Sequence, residues 1–421
     1  MSTATGTGNT KQPILGRRGF ISAGTTLLVA GSTAPAVAAS AANAVKELPQ
    51  RRPGAALRKY GQPSEFEADV VRARIRSQTG TTGAGASATP LQHLRGTITP
   101  SGLHFERHHS GVPALNPAQH KLVIHGAVKR ALAFDLDTLH RYPMTTRIQF
   151  LECSGNSAPL LSAKPIDWNC ADIHGLVACS EWTGVPLSYL LDEVGLNKNA
   201  RWVIAEGADA ARMNRSVPLA KCLDDAIIAL YQNGERLRPE NGYPMRLFLP
   251  GFEGNMSIKW LHRLEVADSP AMSREETSKY TDLRPGGKAE GFTFDMGVKS
   301  VITSPSPGLH VHKPGTYQIS GLAWSGTGNI ARVEVSTDGK NWLDAELEGA
   351  PRPLALNRFS AAWQWDGKPG LLMSRATDTA GNVQPTRSAW IKQFGAKSFY
   401  HYNAIQNWQI RRDGRVENTY A

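Results

Sequence analysis

Along this chain the apolar positions fall into short runs broken by Gly, Pro, Asn and Asp, not into long stripes at helical spacing. Residues 121–125 and 145–152 predict strands, and 134–142 a short helix between turns. Leu187 to Val194 is apolar at the helical period and is stopped by Gly195. Residues 247–250 and 258–261 predict two short buried strands around a glycine-rich loop. Beyond about Gly286 the pattern changes. Ala331 to Ser336 alternates apolar and polar with period two, and Asp338-Gly339 supplies a hairpin turn. Residues 317–324, 359–365 and 371–377 continue at turn-separated spacing, which predicts an immunoglobulin-like sandwich with no cysteine staple. Residues 39–95 are polar and poor in aromatics, so they read as an arm or linker with a short helix over 65–77. The expected architecture is α+β: a mixed α/β domain over 96–285, then an all-β sandwich over 286–421.

A chain of 421 residues is long enough for two cores. With 41% hydrophobic and 20% charged residues it has the composition of a folded protein. The formal net charge is +11, but the Lys and Arg residues are scattered and no basic run interleaves with aromatics, which argues against nucleic acid. Residues 1–38 hold Lys11, Arg17 and Arg18 and no acid. The Arg17-Arg18 pair precedes a weakly apolar stretch, Leu27 to Ala30, and an Ala36-Val37-Ala38 cleavage pattern. This predicts a twin-arginine signal, hence export of the folded protein to the periplasm. No segment reaches the length of a membrane span. Of the four cysteines, none lies in a Cys-x-x-Cys-His motif, so no haem is expected on this chain.

Cys153 is the residue with the most chemistry. It sits between the apolar run Ile148 to Leu151 and the turn Ser154-Gly155-Asn156, which places one soft ligand at a strand end facing a cleft. Segments elsewhere add an anion cradle: Phe105-Glu106-Arg107-His108-His109, the stretch through Asp209, Asn241 to Arg246, and Ser257-Ile258-Lys259-Trp260. Arg, Ser and Lys beside glycine backbone are what a phosphate-bearing cofactor needs.

In these segments the chain resembles the sulfite oxidase family of molybdenum enzymes, from about Phe105 to the C-terminus. The Cys-x-Gly-Asn turn is matched by Cys153, Gly155 and Asn156, and Phe-x-Arg-x-His by Phe105, Arg107 and His109. Asp209, Arg246, Ser257 and Lys259 match further family positions. Trp182 falls in a shared structural motif near the pocket. The resemblance implies a molybdenum-molybdopterin cofactor with Cys153 as the metal ligand. It implies cofactor contacts from Phe105, Arg107, His109, Asp209, Asn241, Arg246, Ser257, Ile258 and Lys259, of which Arg246, Ser257 and Lys259 hold the pterin phosphate. It also implies a catalytic group of Cys153, Arg107 and Tyr280, the tyrosine tied to electron transfer, and a sandwich that dimerises.

Four positions depart from the family pattern. Ser157 and Ala158 stand where sulfite oxidases carry arginines, Gln409 after Trp408 loses a further pocket arginine, and Asn241 replaces a histidine. With the export signal, these departures resemble the molybdenum subunits of sulfane dehydrogenases of periplasmic thiosulfate-oxidising (Sox) systems. That resemblance implies oxidation of a carrier protein's cysteine persulfide, with electrons passed to a c-type cytochrome subunit. The alternative is a periplasmic sulfite dehydrogenase. A zinc site at Cys170, His174 and Cys179 is a rival of another class, though it lacks a fourth ligand.

Overall fold

The computed structural model describes residues 54–75 and 81–420, so the signal reading of 1–38 lies outside the described residues. The chain divides into two units. The first is Met1–Pro63, whose described residues carry no helix or strand. The second, Ser64–Ala421, contains everything below. The helix expected over 65–77 is a single 3-10 turn at Glu65–Glu67 followed by a strand at Ala73–Ile75. That strand pairs with Gly85–Ala88, which in turn pairs with Glu106–His108.

Two sheets build the α+β part. In the first, the strands run in the order Glu235–Arg236, Ile227–Gln232, Val177–Pro186, Thr145–Glu152, with Arg246–Phe248 also on Ile227–Gln232. The second has the order Leu132–Phe134, Leu122–Gly126, Leu261–Ala267, Trp202–Gly207, Asn214–Pro218. Their shared core includes Leu122, Ile124, Leu187, Leu190, Val203, Leu247 and Leu264. The helix Leu187–Val194 buries Leu187, Leu190, Leu191 and Val194, the one-sided stripe expected at its period, and ends at Gly195 (φ 68°).

The expected strand over 258–261 is a turn. Trp260 has φ 53°, and the strand begins only at Leu261. The sandwich strands fall where the alternation predicts them, but Ile330–Ser336 is buried on both faces, with Glu334 and Ser336 enclosed beside Val333 and Val335. One sheet contains Lys299–Ser304, Gly315–Trp324, Asn357–Trp365 and Glu346–Leu347, and the other Leu343–Asp344, Ile330–Ser336, Gly370–Asp378, Asn407–Ile410 and Val416–Thr419. Its apolar core, with Trp324, Phe359 and Trp408, continues without a break to Phe150, Ile173 and Val177 of the first part. Among the described residues no helix is long and apolar enough to cross a membrane.

Candidate active site

Strand Thr145–Glu152 pairs with Val177–Pro186 along its length and releases the chain at Cys153. The turn that follows is closed by Asn156 N–H donating to the Cys153 carbonyl (2.8 Å), while Cys153 N–H donates to Leu176 O (2.9 Å). The Asn156 side chain fastens both flanks: its Oδ1 accepts from Leu176 N–H (3.1 Å) and its Nδ2 donates to Glu152 Oε1 (2.9 Å). Gly254 backs this turn closely; a Cβ there would lie 2.8 Å from Glu152 O, too near for any side chain. The thiol remains partly exposed, whereas Cys170, Cys179 and Cys222 are buried and free.

An inner cleft opens from Cys153. Phe105, Arg107, His109, Asp209, Asn241, Arg246, Ser257, Ile258, Lys259 and Tyr280, each expected at the site, line it with Cys153. The cleft also holds two adjacent cations, the buried Arg246 and the partly buried Lys259. Arg246 donates to the carbonyls of Asn241 (3.1 Å) and Ser257 (2.7 Å), and lies over Trp182 at 5.2 Å. Lys259 donates to the carbonyl of Glu240 (3.0 Å) and to His108 Nδ1 (2.8 Å), so His108 presents Nε2–H to Glu106 (2.7 Å). Burial lowers the Arg246 pKa to about 9, and burial with the nearby Arg246 charge drives Lys259 well below its ordinary range. Neither cation is paired with a carboxylate among the described residues. Two adjacent cations, withdrawn from water and held by neutral partners, make a site built for an anion. Asp209 accepts from Ser110 Oγ (3.2 Å) and Met213 N–H (3.2 Å), Asn241 donates to Gln232 Oε1 (2.9 Å), and Ser257 Oγ accepts from Leu249 N–H (3.0 Å).

A larger outer cavity, about 810 Å3, meets the inner cleft at Arg107, His109, Cys153 and Tyr280. Its cations are Arg107, His109 when protonated, Arg274 and Lys279, and among the described residues no carboxylate lines it. Arg274 is itself paired with Glu275 (2.6 Å). The Tyr280 hydroxyl lies 3.2 Å from His109 Nε2. Burial, then Arg107, lowers His109 to about 4, and burial pushes the Tyr280 phenol up, so both are neutral at ordinary pH. Burial also raises the Cys153 thiol against the nearby Arg107, so its ionisation calls for a further positive charge such as a metal. One soft thiol facing a cleft that holds an unpaired cationic pair fits a molybdenum ion carried on a phosphorylated pterin.

Several features escape a reading of the sequence. Ser157 and Ala158 do not line the cavity. Ser157, buried at φ 67°, hydrogen-bonds His174 Nδ1 (2.8 Å) and accepts from Lys299 Nζ (2.8 Å). Gln409 also points away, donating to Gly370 O (2.8 Å). The C-terminal wall is instead Phe399 and Tyr400. Beneath Tyr280 lies the buried Arg215, 5.1 Å from its ring and paired with Glu253 (3.0 Å). The zinc candidates do not converge: His174 is spent on Ser157 and Gln406, and among the described residues no group of three or more potential ligands assembles.

His401 joins this buried cluster, with its N–H on Ser154 O (2.8 Å) and Nε2 3.3 Å from Glu253. Burial opposes its charge, but the Glu253 hydrogen bond and charge leave its pKa raised above 6.5. Burial likewise opposes the Glu253 carboxylate, and His401 with Arg215 still holds it below 4.5. The stability from His401 is full below pH 6.5 and is lost as pH rises through its folded pKa. That from Glu253 is present above 4.5 and is lost as pH falls. Urea midpoints should therefore decline on the alkaline side, and His401→Gln should flatten that decline; equal slopes in both proteins would contradict the pairing.

The sequence matches the oxidoreductase molybdopterin binding domain over residues 109–275 and the Mo-co oxidoreductase dimerisation domain over 290–408. It is 31% identical to chicken sulfite oxidase over 314 residues, 68% of each chain. It is 31% identical to mouse mitochondrial sulfite oxidase over 332 residues, 71% of this chain, and spans 59% of the mouse protein's length. The crystal structure of the sulfane dehydrogenase SoxCD from Paracoccus pantotrophus superposes with a TM-score of 0.88 at 44% identity, over 90% of this chain and 98% of that one. The chain belongs to the sulfite oxidase family, with a molybdenum-molybdopterin cofactor, an α+β cofactor domain and an immunoglobulin-like sandwich.

Proposed function

We propose that this chain is the molybdenum subunit of a periplasmic sulfane dehydrogenase. It oxidises the outer sulfur of a cysteine persulfide on a carrier protein to the sulfonate level. The observation that carries this reading is the size of the mouth. About 810 Å3 opens onto Cys153, whereas a free sulfite ion needs the space of roughly two water molecules, each about 30 Å3. That room suits a sulfur carried on a tether better than a small free dianion. The likeness to SoxCD points the same way.

The atoms balance as follows. A persulfide anion, R–S–S−, takes up three oxygens from three waters and becomes R–S–SO3−, releasing six protons and six electrons. When bound, the cofactor supplies two-electron oxidation coupled to delivery of a water-derived oxygen. In the proposal Cys153 holds the metal by its thiolate, and Arg246, Ser257 and Lys259 hold the pterin phosphate. Asp209 and Asn241 hydrogen-bond the pterin, and Phe105, His109 and Ile258 complete the cofactor's seat. Arg107, at the junction of cleft and cavity, stabilises negative charge growing on the sulfur's oxygens. Tyr280, kept as a neutral phenol by burial, offers an O–H beside the same atoms. Electrons pass to a c-type cytochrome subunit, and the sandwich forms a homodimer core, in keeping with its dimerisation-domain match. Export by residues 1–38 places the complex in the periplasm.

Arg107 and the identity with chicken sulfite oxidase favour a second reading, oxidation of free sulfite to sulfate. Steady-state kinetics separate the two. With cytochrome c reduction as readout, kcat/KM for a carrier-bound persulfide should exceed that for sulfite; the reverse order would establish the second reading.

A further inference from the structure

We infer that Phe399 and Tyr400 form an aromatic platform that grips the chain on which the reacting sulfur is carried, and so determine specificity for a tethered over a free substrate. This rests on the sulfane dehydrogenase reading and assigns its selectivity to two residues outside the cofactor cradle.

The platform is built, not incidental. After the helix Arg387–Phe394 the chain turns back toward the Cys153 turn. The buried Asp282 carboxylate accepts from Phe399 N–H (2.7 Å) and Tyr400 N–H (3.2 Å), and Arg284 donates to Ser398 Oγ (2.8 Å). His401 N–H, one residue on, binds Ser154 O. The segment is thus pinned at both ends beside the metal-bearing turn. Its rings are placed accordingly. Phe399 Cε1 lies 3.1 Å from where a Cβ on Gly155 would stand, and the Tyr400 ring is 5.1 Å from that of Tyr280 and 5.0 Å from that of Phe399. Phe399 is nevertheless 44% exposed, a large apolar face left open at the mouth of the cavity it lines.

Arg107 and Lys279 line the same cavity. A lining that combines cations with exposed aromatic rings matches a substrate whose reacting end is anionic and whose tether is a peptide backbone. Aromatic rings bind such a tether with large contact area and little side-chain entropy to lose. A free oxyanion gains nothing from them.

The experiment compares wild type with Phe399→Ala and Phe399→Leu, using a short peptide bearing one cysteine persulfide, and sulfite. The ratio of kcat/KM for peptide over sulfite should fall about tenfold in Phe399→Ala, the effect of losing about 1.4 kcal/mol at an aromatic contact, mainly through KM. Phe399→Leu, which keeps the bulk, should lie between. A second arm measures binding by titration calorimetry of the same peptide capped as S-sulfocysteine, which cannot turn over. Weaker binding in Phe399→Ala supports the platform whichever substrate the wild type prefers. Unchanged binding and an unchanged ratio overturn it. A wild type that prefers sulfite contradicts the proposed function, and the binding arm still decides the platform.

Discussion

Replacing Cys153 with serine abolishes turnover of every sulfur substrate, while thermal stability stays close to wild type. The substitution is nearly isosteric, the turn around residue 153 is closed by backbone bonds and by Asn156, and the bond that the thiol accepts from the Gly155 backbone can be accepted by a serine hydroxyl. What disappears is the soft, charge-donating sulfur that suits the metal. Metal analysis and electron paramagnetic resonance should then show either lost molybdenum or an altered signal, with the circular dichroism unchanged. A Cys153→Ser protein that keeps normal rates would remove the metal-ligand role altogether.

Lys299→Met is the substitution expected to cost the most stability. Lys299 belongs to the sandwich, yet its ammonium donates to Glu152 Oε1 (3.0 Å) and to Ser157 Oγ, at either end of the Cys153 turn. Trp324, also from the sandwich, donates to Glu152 Oε2 (2.6 Å). Lys299 and Glu152 are each 1% exposed, so removing the cation strands a carboxylate with no route to water. Stranding one member of such a pair costs about 3–5 kcal/mol, far more than the net worth of the pair itself. Urea denaturation should show a loss of that size. The double variant Lys299→Met/Glu152→Gln should recover much of it, because no buried charge is left. A single variant within about 1 kcal/mol of wild type, the range of an exposed pair, would mean that the cluster is hydrated. The same contacts explain why the two domains share one continuous core: the sandwich helps hold the catalytic turn.

The parts of the site that could be read from sequence are those whose chemistry is local. Cys153 with its Gly155-Asn156 turn, Arg246 beside Asn241, and Ser257 to Lys259 each carry their signal within a few residues, and Cys153, Asn241, Arg246 and residues 257–259 line one cleft. The strands of the sandwich are legible for the same reason, since alternation and turn residues are local signals, although Ile330–Ser336 proves buried on both faces. Long-range pairings left no such trace. Nothing near Phe399 says that the chain will fold it onto Gly155, and nothing near Lys299 names Glu152 as its partner. Ser157 shows the converse. It stands where sulfite oxidases carry an arginine, but the left-handed backbone at φ 67° turns it into the buried Lys299 cluster. Pattern alone predicts a strand over 258–261 because it is blind to the positive φ of Trp260, which bends the chain beside the cleft-lining Lys259.

The central claim is tested most directly by the mass of the carrier cysteine after incubation with the holoenzyme and oxidised cytochrome c. The persulfide should gain three oxygen atoms while six electrons reach cytochrome per sulfur. An unmodified persulfide beside rapid consumption of added sulfite would contradict it.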